Sequence, residues 1–137
     1  MAYPIPTVAA LAVGPSGRLL LARTAKWRGL WGVPGGKIEY GEAMEAALLR
    51  EFSEEVGLAL RDLRFALLQE MIEDPAFYRP AHFILINYFA RAGNEAVRPN
   101  REILEWAWVP PEAALDRRLN VYTERLVRAY LKERPYD

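Results

Sequence analysis

A dense group of carboxylates lies near the middle of the chain. Glu51, Glu54 and Glu55 fall within five consecutive residues, and the apolar residues Phe52 and Val56 are spaced among them. On an α-helix, residues three and four apart share a face, so the carboxylates project together while the apolar side chains point to the core. This spacing fits a solvated helix face, which tolerates the repulsion between like charges. It fits equally a site for a hard divalent cation such as Mg²⁺, which takes oxygen ligands.

The residues before these acids favour the cation site. Gly35 and Gly36 end a loop, where the missing side chains let the backbone approach a ligand and offer it carbonyl or N–H groups. A longer pattern begins at the second glycine: glycine, five residues, glutamate, seven residues, then Arg-Glu-apolar-any-Glu-Glu-any-Gly-apolar. Every position of this pattern is matched, by Gly36, Glu42, Arg50, Glu51, Phe52, Glu54, Glu55, Gly57 and Leu58.

This pattern resembles the signature of the Nudix hydrolases, and the segments 31–36 and 102–108 are similar to the family as well. The resemblance implies an α/β fold in which a mixed β-sheet is sandwiched between α-helices. It also implies hydrolysis of the pyrophosphate bond in a nucleoside diphosphate linked to another group, with Mg²⁺ or Mn²⁺ bound at the signature. The chemistry is consistent, because bound cations neutralise phosphate oxygens and activate a water, whose proton a carboxylate then accepts.

The resemblance also implies which residues bind the metal. Glu54 and Glu55 are expected to be ligands, together with the carbonyl oxygen of Gly36. Glu51 is expected to be either a further ligand or the general base.

Arg50 lies directly before the acids. By the resemblance its role is structural: its guanidinium is expected to hold a signature glutamate, Glu42 or Glu51, in place. The alternative is an ordinary surface salt bridge.

The identity of the general base stays open, because members of the family carry it either in the signature or on a later element. Glu51 and Glu54 are the candidates within the signature. Glu102 is the candidate on a later element, at a position where some relatives supply an extra acid from a loop. Its alternative is an ordinary loop glutamate. Glu73 and Glu105 are weaker candidates.

A binding site for the substrate is predicted at Lys26, Trp27 and Arg28, which combine two cations with an aromatic ring. A base could stack on the ring while phosphates lie near the cations. Alternatively, Trp27 only covers the core. Tyr88 is a second candidate for stacking. It alternates with Phe89 along a strand, so at most one of the two faces a pocket.

The choice of substrate rests on weaker likenesses. The segment 101–127, notably its Leu-Asn-Val at 119–121, resembles the C-terminal part of MutT-type nucleoside triphosphatases. We therefore expect a nucleoside or deoxynucleoside triphosphate to be split into the monophosphate and pyrophosphate. ADP-ribose or a nucleotide sugar is the alternative, since Pro75 lies near the position where that branch carries a proline. A non-catalytic nucleotide-binding regulator is the third reading, but it would lack a signature glutamate, and none is missing.

Composition limits the remaining possibilities. The 137 residues, 52% of them hydrophobic, fit one domain spanning residues 1–137. Eighteen basic residues balance eighteen acidic ones, so no overall field favours nucleic acid or a membrane surface as a partner. The absence of cysteine fits a reducing compartment, and we expect the cytoplasm. No apolar run is long enough to span a bilayer. Nudix proteins are often homodimers, so a homodimer is compatible with the resemblance.

Hydrophobic periodicity predicts the elements that position these residues. Two helices are expected, at 42–56 with a C-terminal cap at Gly57 and at 121–133, and the segment 24–36 is expected to be a loop with at most a short strand. The strands are expected at 7–13, 18–23, 63–73, 82–90 and 103–110, with a turn at 14–17 between the first two. This order of elements predicts a mixed sheet with helices packed on it.

Overall fold

The computed structural model describes residues 2–136, so the predicted domain boundaries at residues 1 and 137 lie outside the described range. A sheet of seven strands forms its centre. Two α-helices and two short 3₁₀ segments, Ala25–Trp27 and Pro111–Asp116, complete the fold. The α-helices are α1 (Met44–Val56) and α2 (Val121–Glu133). The strands are β1 (Ile5–Val13), β2 (Leu19–Thr24), β3 (Trp31–Gly32), β4 (Gly35–Lys37), β5 (Leu60–Ile72), β6 (His82–Ala92) and β7 (Ile103–Val109).

Strand β1 organises the sheet. It pairs antiparallel with β2 and β4 and parallel with β6 along its whole length. On one side, β2 continues the sheet to β3 and β7, and on the other side β6 pairs with β5. The parallel contact between β1 and β6 makes the sheet mixed, as the sequence predicted.

Alternation along β1 separates two apolar layers. Val8 and Ala10 face α1 and pack into a core that includes Phe52, whereas Leu11 faces α2 and packs near Leu126. Successive side chains of a strand point to opposite faces, so one strand contributes to both layers. The predicted arrangement of a sheet between helices is therefore confirmed.

Element boundaries differ from the predictions at a few places. Helix α1 begins at Met44 and not at position 42, because a turn comes first: Glu42 donates its N–H to the carbonyl of Glu39, and Gly41 has φ 82°. The helix ends as predicted at Gly57, whose left-handed conformation (φ 67°) suits glycine. The expected loop at 24–36 contains β3 and the start of β4, and β5 begins three residues earlier than expected. Helix α2 has the predicted bounds.

Within residues 2–136, no helix is both long and apolar enough to cross a membrane.

Neighbouring leucines on α1 provide a test of this packing. Leu48 is fully buried in the core layer under α1, whereas Leu49 is 42% exposed. We expect Leu48→Ala to lower the free energy of unfolding by about 3–5 kcal/mol, because it removes apolar contacts and leaves a cavity. Leu49→Ala should lower it by less than about 1 kcal/mol. Urea denaturation of both variants measures the difference, and equal effects would contradict the assigned orientation of α1.

Candidate active site

The site lies where β4 and α1 approach each other closely. Gly36 pairs with Val8 of β1, and a Cβ added to Gly36 would overlap the carboxylate of Glu51. Because position 36 has no side chain, this carboxylate lies directly against the strand backbone. The structure thus brings together the signature glycine and one of the signature acids, which lie fifteen residues apart in the sequence.

Arg50 connects the loop, the strand and the helix around this point. Its Nε and Nη2 donate to the two carboxylate oxygens of Glu42, at 2.7 and 2.9 Å, and its Nη1 donates to Glu51 at 2.8 Å. Nη2 also donates to the carbonyl oxygen of Lys37, at 3.1 Å. The hydrogen bond from Arg50 lowers the pKa of Glu42, and the bonds to both glutamates raise the pKa of Arg50 itself. Arg50 thus contacts both glutamates that the sequence analysis named as its partners.

Glu55 is a buried acid on the same helix. Only 5% of the residue is exposed, and its Oε2 has no hydrogen-bond partner among residues 2–136. Burial raises the pKa of Glu55 to about 9, and a hydrogen bond and repulsion from Glu51 and the charge of Glu102 act in the same direction, against an opposing effect of Lys26. Burying a carboxylate without a partner is unfavourable. A cation beside this oxygen would supply both the missing partner and the opposite charge.

The loop before β7 carries Glu102 to the same place. The N–H of Asn100 donates to the backbone carbonyl of Glu55 at 2.8 Å, and the N–H of Arg98 donates to that of Val56 at 2.8 Å. The side chain of Asn100 in turn accepts from the N–H of Glu102, at 2.9 Å. These bonds tie the loop to the last turn of α1, and the exposed Glu102 lines the same cleft as Glu51.

Glu54 is placed differently from the other acids. Its side chain is 58% exposed and lies 3.3 Å from Nη1 of Arg50. In the arrangement of residues 2–136, no three acidic or histidine side chains stand close enough together to hold a metal ion between them. Of the three signature acids on α1, Glu51 and Glu55 point into the site, and Glu54 points to solvent.

A cleft of about 560 Å³ opens beside the acids. Its charged part comprises Lys26, Lys37, Glu39, Glu51, Arg79 and Glu102. Its aromatic part comprises Trp27, Phe77, Tyr78, Phe83 and Tyr122. Its floor is the α2-facing side of the sheet, with residues from β1 and β6. A charged region and an aromatic region in one cleft suit a ligand that has both a polyanionic and a planar part.

Two of the three predicted substrate-binding residues, Lys26 and Trp27, line the cleft, and the third, Arg28, does not. Trp27 lines the cleft, with its ring centroid 4.9 Å from that of Phe77 and 5.8 Å from that of Tyr122, and Lys26 lines the cleft beside it. Trp27 also packs against a small apolar cluster, as the alternative reading of this residue expects. Arg28 is not among the residues that line the cleft. Its Nε donates to the carbonyl oxygen of Pro75 at 3.1 Å.

The second candidate for stacking, Tyr88, and the weaker general-base candidates, Glu73 and Glu105, do not line the cleft. Tyr88 and Phe89 do face opposite sides of the sheet, but both belong to core layers, so Tyr88 is not available for stacking on a ligand. Glu105 is paired with Arg23 at 2.7 Å, on the surface of the sheet. Glu73 is exposed at the end of β5 and does not line the cleft.

Several lining residues were missed by the sequence analysis. Phe77 and Tyr122 come from a loop and from the first turn of α2, and no local pattern indicates that they meet Trp27. The hydroxyl of Tyr122 donates to Asp74 at 2.8 Å, and burial raises the pKa of this tyrosine to about 12. Asn87 did leave a signal, because it is a polar residue in the middle of an otherwise apolar strand.

The fold and the site define a class of protein. The sequence profile of the NUDIX domain matches residues 4–130. The chain therefore belongs to the NUDIX family and is a Nudix hydrolase, which confirms the resemblance inferred from the signature. Enzymes of this family generally use divalent metal ions.

Particular relatives extend the comparison. The nucleoside triphosphatase NudI of Escherichia coli K12 is 30% identical over 132 residues, covering 89% of this chain and 94% of NudI. The crystal structure of a MutT NUDIX hydrolase from Burkholderia pseudomallei is similar with a TM-score of 0.80 and 26% identity, covering 93% of this chain and 98% of that one. The solution structure of the E. coli ORF135 protein gives a TM-score of 0.76 and 27% identity, with coverages of 97% and 94%.

Replacement of Arg50 by lysine tests whether its planar fork organises the site. One ammonium group cannot replace two parallel bonds to Glu42 and further bonds to Glu51 and Lys37, so we expect Arg50→Lys to lower the free energy of unfolding by about 1–3 kcal/mol. Arg23→Lys, which alters the surface pair with Glu105, should change it by less than about 1 kcal/mol. Urea denaturation compares the two variants. If they are equally stable, the Arg50 network does not support the fold.

Proposed function

We propose that this protein is a Mg²⁺- or Mn²⁺-dependent pyrophosphohydrolase that converts nucleoside or deoxynucleoside triphosphates into the monophosphate and pyrophosphate. One observation carries the proposal: a single cleft contains an acidic region, with the unpartnered buried oxygen of Glu55 beside it, and an aromatic region. The relationship to a nucleoside triphosphatase, NudI, supports the choice of substrate class. The profile match over residues 4–130 supports treating the chain as one domain.

The metal site is proposed at Glu51, Glu54, Glu55 and the carbonyl oxygen of Gly36. The orphaned oxygen of Glu55 and the close approach of Gly36 to Glu51 fit a cation there. When bound, the cation neutralises phosphate oxygens and lowers the pKa of a water. Glu54 joins this set by leaving its 3.3 Å contact with Arg50, which is an exposed ion pair and therefore weak.

We assign the general base to Glu102, with Glu51 and Glu54 as the alternatives. Glu102 lines the cleft, and the bond from Asn100 to the backbone of Glu55 holds its loop over the acids. The other two carboxylates accept hydrogen bonds from Arg50, so that Glu102 is the one candidate of the three that Arg50 does not engage among the described residues. Arg50 acts as a positioning residue in this scheme.

Substrate binding uses the two regions of the cleft. The ammonium group of Lys26 attracts the phosphates. The nucleobase stacks among the rings of Trp27, Phe77 and Tyr122. Arg28 has no contact role here. We also propose that the protein is located in the cytoplasm, because it contains no cysteine. A homodimer is expected from the family.

Charge-removing variants test the roles of the acids. Glu102→Gln should reduce kcat by about 10²–10⁴-fold, because it removes the base, while Mn²⁺ affinity changes little. Glu55→Gln should weaken both Mn²⁺ binding and turnover, because it removes a ligand charge. Glu105→Gln is the matched control on the next strand and should change neither. Steady-state kinetics and calorimetric Mn²⁺ titration provide the measurements, and full turnover by Glu102→Gln would transfer the role to Glu51 or Glu54.

The position of the cut tests the reaction itself. With UTP in ¹⁸O-water and Mg²⁺, we expect the products to be UMP and pyrophosphate with one ¹⁸O incorporated, and we expect excess EDTA to abolish turnover. The reason is that the nucleobase is held among the aromatic rings and the cation is held at the acids. The attacking water is then directed to the internal phosphoanhydride bond that joins the monophosphate to pyrophosphate. Mass spectrometry of the products decides the matter. Orthophosphate as the primary product would contradict the proposal, and turnover of ADP-ribose alone would retain the reaction class but reject the substrate.

A further inference from the structure

A short series of hydrogen bonds fixes a buried amide in the floor of the cleft. Asn87 lies on β6, lines the cleft and is 5% exposed. Its Oδ1 accepts a hydrogen bond from Nε2 of Gln69, at 2.8 Å. Gln69 lies on the adjacent strand β5 and is 8% exposed. Two buried amides on neighbouring strands are therefore joined directly to each other.

The partners of Gln69 determine which way both amides face. Its Nε2 also donates to the backbone carbonyl of Tyr122, at 3.0 Å, and its Oε1 accepts from Nη1 of Arg125, at 3.4 Å. A carbonyl oxygen only accepts and a guanidinium only donates, so only one orientation of Gln69 satisfies both. Gln69 must then present its N–H to Asn87, and Asn87 must turn its carbonyl oxygen towards Gln69.

This orientation leaves the NH₂ group of Asn87 to face the cleft. Among residues 2–136 no hydrogen bond from this nitrogen to a side chain or a backbone group is seen, and the lining residue before Asn87 on the same face of β6, Leu85, is apolar. A hydrogen-bond donor in the floor of a cleft without an acceptor favours a ligand that carries an acceptor at that position. Asn120, the other buried asparagine of the cleft, differs because its Oδ1 caps α2 by accepting from the N–H of Thr123 at 2.8 Å.

We propose that Asn87 determines base specificity, by donating a hydrogen bond to a keto oxygen on the edge of the base farthest from the ribose. Gln69 is its positioning residue. The inference rests on the proposed function, because binding of the phosphates at the acids directs the distal edge of the base to the cleft floor. Uracil and thymine at position 4, and guanine at position 6, offer an acceptor there. Cytosine and adenine carry an amino group at the same place, which would meet another donor.

UTP and CTP differ at this position while having the same ring size, so the ratio of their kcat/KM values is the measurement. We expect wild type to favour UTP by about 10–100-fold, the range expected for one buried donor left unpaired. In Gln69→Glu, a carboxylate at position 69 cannot donate. Asn87 must then turn its NH₂ towards it and its oxygen to the cleft, and the ratio should fall to one or reverse in favour of CTP.

A second variant keeps the test decisive if Gln69→Glu does not fold. Asn87→Leu keeps the branched shape of the side chain but removes the donor, so the ratio should fall to near one, whereas Asn94→Leu in an exposed loop should leave it at the wild-type value. Calorimetric titration with the non-hydrolysable α,β-imido analogues of UTP and CTP measures the corresponding ratio of binding affinities without turnover.

The outcomes separate the two proposals. A wild-type enzyme that hydrolyses UTP and CTP equally, or folded variants that keep the wild-type ratio, would overturn the role of Asn87 and leave the hydrolase proposal intact. Preferential binding of the uridine analogue without hydrolysis, with the preference lost in Asn87→Leu, would support the role of Asn87 and contradict the proposed reaction.

Discussion

The guanidinium of Arg50 is the interaction on which the arrangement of this site depends. It joins the loop through Glu42, the end of β4 through the carbonyl of Lys37, and α1 through Glu51. A strand, a loop and a helix that follow one another in the chain thereby meet at one planar group, whose rigid fork matches carboxylate geometry. The same bonds partly compensate the repulsion between the clustered acids, so the protein can keep several carboxylates together before a cation arrives.

Around this centre, the sheet supplies two different surfaces from the same strands. On the face towards α1, Val8 and Ala10 of β1 and Ala90 of β6 are fully buried, whereas part of the opposite face extends beyond α2 and becomes the cleft floor. Phe89 packs under α2, and Asn87, two residues earlier on the same face, lies in the cleft. The boundary between core and binding surface is thus set by where α2 begins, at Val121, behind the cap formed by Asn120.

Local patterns in the sequence predicted most of the fold, and the family resemblance named Glu51 and Glu102, both of which line the cleft. Periodicity located α2 at its observed bounds, and the cap at Gly57 located the end of α1. The short strand β4 was not predicted, because glycine-rich segments have no side-chain periodicity to indicate a strand. Of the aromatic part of the cleft, only Trp27 was predicted. Trp27, Phe77 and Tyr122 are distant in sequence and meet only through the tertiary fold.

The loop that carries Glu102 has a mechanical consequence. Its anchor, the bond from the N–H of Asn100, is made to the main chain of Glu55 itself, and a second bond from Arg98 fastens the loop to the following residue, Val56. A displacement of the last turn of α1 is therefore transmitted to the loop over the length of one hydrogen bond. We therefore expect the backbones at Glu55 and Glu102 to shift together, because Asn100 is hydrogen-bonded to both.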